Sequence, residues 1–337
     1  MVRRIRRADN CAMSRQEGAV RRRSFAAGLG SIVWASSARA DTWPSKPVRV
    51  VVPFAPGGSG DITARLIGRY MEEQTGQSFI VDNRPGANGI IGTMNVRQAA
   101  ADGYTLLLAT TTVLGANLAL YKSLPYDPRT DFQLVGTFGS GGTLLVVPQD
   151  SPFKTLQDLL AYAKANPGKL FYGHFNSSSL VPAELMADCT KLSWTGVAYK
   201  QVGNATSDLL GGQIQFVFID NTAAHALLSA GKLRVLAVTR PQRDATRPDV
   251  PAMSEMCAGF EVTGYLGIAV RTGTPQEIAR RLNQLVNDGI FSPEMNKRLA
   301  EFGTVPERLT LEQAAAVQKI QAEKWIAYVK IAKIEPQ

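Results

Sequence analysis

Val48-Arg49-Val50-Val51-Val52-Pro53-Phe54-Ala55-Pro56-Gly57-Gly58-Ser59-Gly60-Asp61 is the stretch whose reading decides the fold. Val48 to Phe54 is a nearly continuous apolar, β-branched run, the pattern of a strand buried on both faces of a parallel sheet. The proline and glycines that follow break it. From Asp61 to Thr75 the apolar residues Ile62, Leu66, Ile67, Tyr70 and Met71 recur at helical spacing, and Gly76 is placed to cap the helix end. Strand, glycine turn and helix form the first unit of an α/β fold.

Outward from that unit the alternation continues. Strands are expected at 79–81, 105–109, 143–147, 170–173, 214–219, 234–238 and 266–270. Thr155-Leu156-Gln157-Asp158 has capping-box spacing for a helix that Asn166-Pro167-Gly168 stops. Thr274-Pro275 opens another helix, and a last one covers 311–332. Two alternating blocks suggest two lobes.

The N-terminal 40 residues read as a leader and not as part of the fold. Arg21-Arg22-Arg23 precedes a modest apolar run, Phe25 to Ala35, and Ala38-Arg39-Ala40 is a small-residue exit that would leave Asp41 first. Arg22-Arg23-Ser24-Phe25 suits twin-arginine export as well as the ordinary route, and Met13 is an alternative start. This leader holds nine arginines and two acids, so it carries +7 of the chain's net +9 and leaves +2 on the remaining 297 residues. No dense basic cluster remains for nucleic acid. Beyond the leader no apolar run of about 18 residues could span a membrane. Cys189 and Cys257 could pair in an oxidising compartment, but their distance in sequence favours two buried free thiols. No metal-ligand spacing and no nucleophile motif is present, and the only histidines, His174 and His225, stand in no triad-like arrangement.

In open α/β sheets ligands lie beyond the carboxyl ends of the strands, so those ends supply the candidates. Ala55, Pro56, Gly57, Gly58, Ser59 and Asp61 form the first, where glycines admit a ligand to the backbone and a helix N-terminus favours an anion. Taken alone, such a loop is more often only a tight turn capped by its Asp. Thr110 and Thr111, then Phe175, Asn176, Ser177 and Ser178, then Asp220 stand at three further strand ends. Ser179 is placed to cap a helix starting near Pro182, and an ionised Asp220 would favour a ligand amine, a hydroxyl or a bridging water.

Ordered segments then carry a resemblance: Trp43-Pro44-Ser45-Lys46-Pro47, Pro53-Phe54-Ala55-Pro56-Gly57-Gly58, Asn83-Arg84-Pro85-Gly86-Ala87-Asn88-Gly89, Asp102-Gly103-Tyr104-Thr105, Leu124-Pro125-Tyr126-Asp127-Pro128 and Asp208-Leu209-Leu210-Gly211-Gly212. Together they resemble the Bug-type solute-binding proteins of tripartite tricarboxylate transporters. The resemblance implies a type II periplasmic-binding fold of two Rossmann-like lobes closing on a cleft, with 41–142 plus 266–337 in one lobe and 143–265 in the other. It implies a periplasmic monomer without cofactor or catalysis, which binds a di- or tricarboxylate, acidic amino acid or aromatic acid and serves membrane permease subunits. A ligand-presenting partner of a sensor kinase is the alternative. Two departures, Phe175 where small residues are usual and Gln201 where a glycine follows Tyr199-Lys200, imply a bulkier second lobe wall and a different ligand.

Overall fold

The computed structural model describes residues 43–337 except 245, so the expected leader lies outside the described residues. Nine strands follow in order: β1 (Val48–Val52), β2 (Phe79–Asn83), β3 (Thr105–Thr110), β4 (Phe132–Pro148), β5 (Phe171–His174), β6 (Thr195–Ala198), β7 (Phe216–Asp220), β8 (Leu233–Val238) and β9 (Thr263–Arg271). Between and after them lie α1 (Ser59–Thr75), α2 (Ile90–Arg97), α3 (Asn117–Leu120), α4 (Leu156–Ala165), α5 (Ser177–Thr190), α6 (Val202–Leu210), α7 (Asn221–Ser229), α8 (Gln276–Ile290), α9 (Pro293–Glu301) and α10 (Leu311–Ile331).

The strands run β2-β1-β3-β9-β4-β7-β5-β6, with β8 also paired to β4. β1 pairs in parallel with β2 and β3, in keeping with its nearly continuous apolar run. β5 likewise pairs in parallel with β6 and β7. Strand β4 belongs to both halves. Its first part pairs antiparallel with β9 from Phe132↔Arg271 to Gly142↔Thr263, and its last part pairs with β7 and β8 from Thr143 onward. Only the last part was expected from sequence. The glycines at 136, 139, 141 and 142 hide the first, and at Gly136 a neighbour comes close: a Cβ there would meet Val286 Cγ1 at 2.9 Å.

Helices cover both faces of each half. On α1, Ala64, Ile67 and Met71 are fully buried in a cluster with Val50, Val52, Leu106 and Leu108. Each large apolar side chain so buried contributes about 1.5–3 kcal/mol against the cost of ordering it. Helix α10 reaches both halves: Ala314 belongs to the cluster of Val51 and Leu107, and Trp325 and Val329 belong to that of Phe216 and Tyr172. The Thr155–Asp158 box and the left-handed Gly76 cap stand where the sequence placed them.

Two expectations are corrected. Cys189 and Cys257 form a disulfide, their Cα atoms 6.0 Å apart, because the fold brings the end of α5 against the 253–260 segment despite a separation of 68 residues. Helix α5 starts at Ser177 and runs through Pro182, capped by Asn176 and not by Ser179. The Asn176 side chain accepts from the Ser179 N–H at 3.1 Å, while the Asn176 N–H donates to Ser179 Oγ at 3.2 Å, so both residues serve one reciprocal cap.

Candidate functional site

A cleft of about 760 Å³ opens at the strand ends, between the β1–α1 turn and the loops that follow β3, β5 and β7. Ala55, Gly58, Ser59, Thr110, Thr111, Phe175, Asn176, Ser177, Ser178 and Asp220 all line it. Pro56, Gly57 and Asp61 do not.

Asp61 instead holds the loop in shape. Its carboxylate accepts from the Gly57 N–H at 3.0 Å and from Arg65 Nη2 at 2.8 Å, and it is 6% exposed. Burial works to raise its carboxyl, but these hydrogen bonds prevail and hold it below the usual carboxylate range. Gly57 adopts a left-handed φ of +81°, which the turn requires.

Three helix N-termini and one tight turn converge on the cleft. In α1 the first intrahelical bond runs from the Ile62 N–H to the Gly58 carbonyl, which leaves the Ser59, Gly60 and Asp61 N–H groups outside the ladder. In α5 the cap consumes the Ser179 N–H and leaves those of Ser177 and Ser178. In α7 the Asp220 side chain accepts from the Ala223 N–H at 3.0 Å, leaving Asn221 and Thr222. After β3 the chain enters a π-helical turn, Thr112–Ala116, a geometry found often at functional sites. Ser59, Gly60, Thr112, Ser177, Ser178, Asn221 and Thr222 all face the same cavity. Unpaired N–H groups and aligned peptide dipoles make it attractive to an anion.

Two hydroxyl contacts join the loops across the cleft. Ser59 Oγ donates to Asp220 Oδ2 at 3.1 Å, and Thr112 Oγ1 lies 2.6 Å from Ser177 Oγ. Asp220 is partly buried at the cleft, and desolvation raises its carboxyl above the ordinary range despite the hydrogen bonds from Ala223 and Ser59. His174 also lines the cleft, where burial lowers its pKa and favours the neutral ring. Among the described residues neither histidine side chain bonds to a hydroxyl, and no cluster of three or more His, Cys, Asp or Glu could hold a metal.

Sequence reasoning did not select several lining segments: Gly86 to Gly89, Tyr199, Val202, Thr263 to Leu266, and Ile334, Glu335 and Gln337 near the chain end. The first stands in a quoted motif, so its signal was present. The chain end reaches the cleft through long-range pairing of Gln337 with Leu120 and Lys122, which leaves no local trace.

The family model described as tripartite tricarboxylate transporter family receptor matches residues 63–333. The chain belongs to this receptor family. A protein of the tcbD–tcbE intergenic region in a Pseudomonas strain is 34% identical over 311 residues, covering 90% of this chain and 92% of that one. Among solved structures, Rpa4515 of R. palustris with adipate has a TM-score of 0.84 at 32% identity, over 88% of this chain and 100% of the other. The periplasmic binding protein BugD gives 0.82 at 30% identity over 88% and 100%. MatC from Rhodopseudomonas palustris with bound malate gives 0.79 at 29% over 85% and 99%. The receptor therefore has the two-lobed periplasmic-binding fold of the Bug type, and it is a solute-binding protein and not an enzyme. No helix of the described residues is long and apolar enough to cross a membrane.

Proposed function

We propose that this receptor captures a small organic carboxylate in the periplasm and delivers it to membrane permease subunits of a tripartite tricarboxylate-type transporter. The observation that carries this reading is the convergence of the α1, α5 and α7 N-termini on one cleft. A carboxylate there meets several backbone N–H donors at once. Adipate in Rpa4515 and malate in MatC are ligands of the same chemical kind. In this reading the leader is removed after Ala40 and the mature chain acts as a monomer. Residues 41–142 with 266–337 form one lobe and 143–265 the other, and the ligand bridges the Ser59 loop of the first and the Ser177 loop of the second.

A thermal-shift screen of carboxylates, amino acids and aromatic acids tests it. A ligand at 100 times its Kd stabilises the folded state by about 2.7 kcal/mol, a readable rise in Tm. A screen in which no carboxylate raises Tm would end the proposal.

A further inference from the structure

The glycines of the first loop are bare for different reasons. Gly57 needs its left-handed φ, and a Cβ on Gly60 would meet Leu108 Cδ2 at 2.5 Å. Gly58 is under neither constraint. Its φ is −81°, and a Cβ there would stand 3.6 Å from the Ala55 carbonyl oxygen and 3.9 Å from Val202 Cγ1, both ordinary contacts. The fold tolerates a side chain at 58, so the empty space there serves the cleft that Gly58 and Val202 both line.

Val202 belongs to an apolar wall with Phe175 and Tyr199, which also line the cleft and pack behind it on the cluster of Leu144, Val217 and Ile219. That wall is fixed in advance. The Phe175 N–H donates to Ser179 Oγ at 2.9 Å, and the Tyr199 hydroxyl donates to Asp208 at 2.8 Å. Charge is scarce by comparison. Among the described lining side chains Lys200 is the one cation, against the carboxyls of Asp220 and Glu335, with His174 biased to its neutral form. A second carboxylate on a short ligand would have to share the helix N-termini with the first or reach exposed Lys200. The volume, about 760 Å³, also belongs to sites for larger ligands than a four-carbon acid.

We propose that the cleft selects a monocarboxylate with an apolar, ring-sized body, seated between Gly58 and the wall of Phe175, Tyr199 and Val202. The inference rests on the carboxylate reading above and names its substrate class. The acid group takes the helix N-termini, and the ring takes the side where backbone is bare and the opposing surface is hydrocarbon.

Calorimetric titration of the purified protein with benzoate, phenylacetate, adipate and malate tests it. At least one ring-bodied acid is expected to bind about tenfold tighter than malate. Val202→Asn and Phe175→Ala should each lower that affinity ratio about tenfold, while Phe175→Leu should keep most of it. A loss shared equally by every ligand would mark a merely structural role and overturn the assignment. So would malate or adipate binding tighter than both ring-bodied acids, which would leave the carboxylate reading intact. Silence from the whole panel would remove both together.

Discussion

Two strand-to-helix turns face the same cleft and solve the same problem in opposite ways. The turn before α1 is stripped of side chains at Gly57, Gly58 and Gly60, whereas the turn before α5 carries Phe175, Asn176 and three serines. Each ties its backbone down through the third helical residue. Asp61 does so with a charge that Arg65 neutralises at 2.8 Å, and Ser179 does so with a neutral hydroxyl inside the Asn176 cap. The first turn thereby offers bare peptide N–H groups and makes no demand on ligand shape. The second offers N–H groups beside a ring. In the proposed reading, affinity for an anion is common to both, and discrimination belongs to the second.

The largest effect expected breaks the bracing of α5. That helix is anchored at its far end by the Cys189–Cys257 disulfide, and α1 has no such tie. A Cys189→Ser, Cys257→Ser protein should lose about 4 kcal/mol for a loop of 68 residues, read as a drop in the urea midpoint. An unchanged midpoint would mean that packing alone holds the helix.

Next, the glycines can be separated. Gly60→Ala should cost about 1–3 kcal/mol by overpacking against Leu108, while Gly58→Ala should leave stability within roughly 0.5 kcal/mol yet weaken carboxylate binding. Equal Tm losses in the two variants would contradict the distinct roles assigned to them.

Asp61→Asn is a smaller perturbation, about 1 kcal/mol at neutral pH. The folded carboxyl is held below its ordinary value of 3.8, so the unfolded chain binds the proton more readily. Its contribution is therefore complete above that value and is lost as pH falls through the folded pKa. The Tm gap between wild type and variant should close on acidification, and a gap independent of pH would refute the charge argument.

Asp220 has the opposite sign and the smallest effect. Its carboxyl is raised, so the protonated form is favoured in the fold, and a neutral Asp220 repels an anion less. Carboxylate affinity should rise as pH falls through the raised pKa of Asp220. Asp220→Asn should bind roughly threefold tighter at pH 7 and lose that slope in titrations. A variant with unaltered slope would place the titrating group elsewhere.

The first turn was legible because every part of its signal is local: an apolar run, glycines, and helical spacing from Asp61 to Thr75. The loops after β3, β5 and β7 could be found as strand ends, but their details could not. Helix α5 begins at Ser177 because Asn176 and Ser179 cap each other, which outweighs the breaking signal of Pro182. The first part of β4 was hidden because its glycine-rich sequence lacks strand character and is extended only by pairing with β9. The disulfide, the Val202 wall and the approach of Gln337 likewise depend on partners tens of residues away.

Strands β4 and β9 run side by side through the middle of the sheet, with register shifts between Leu134 and Gly136 and between Thr137 and Ser140. Mechanically this ribbon is a flexure. Hydrogen bonds along both strands resist sliding of one half of the sheet past the other, and compliance is concentrated where the ladder is irregular and glycines remove side-chain interlock. If the proposed receptor opens and closes on its ligand, bending along this ribbon would bring the cleft walls back into the same alignment on every cycle.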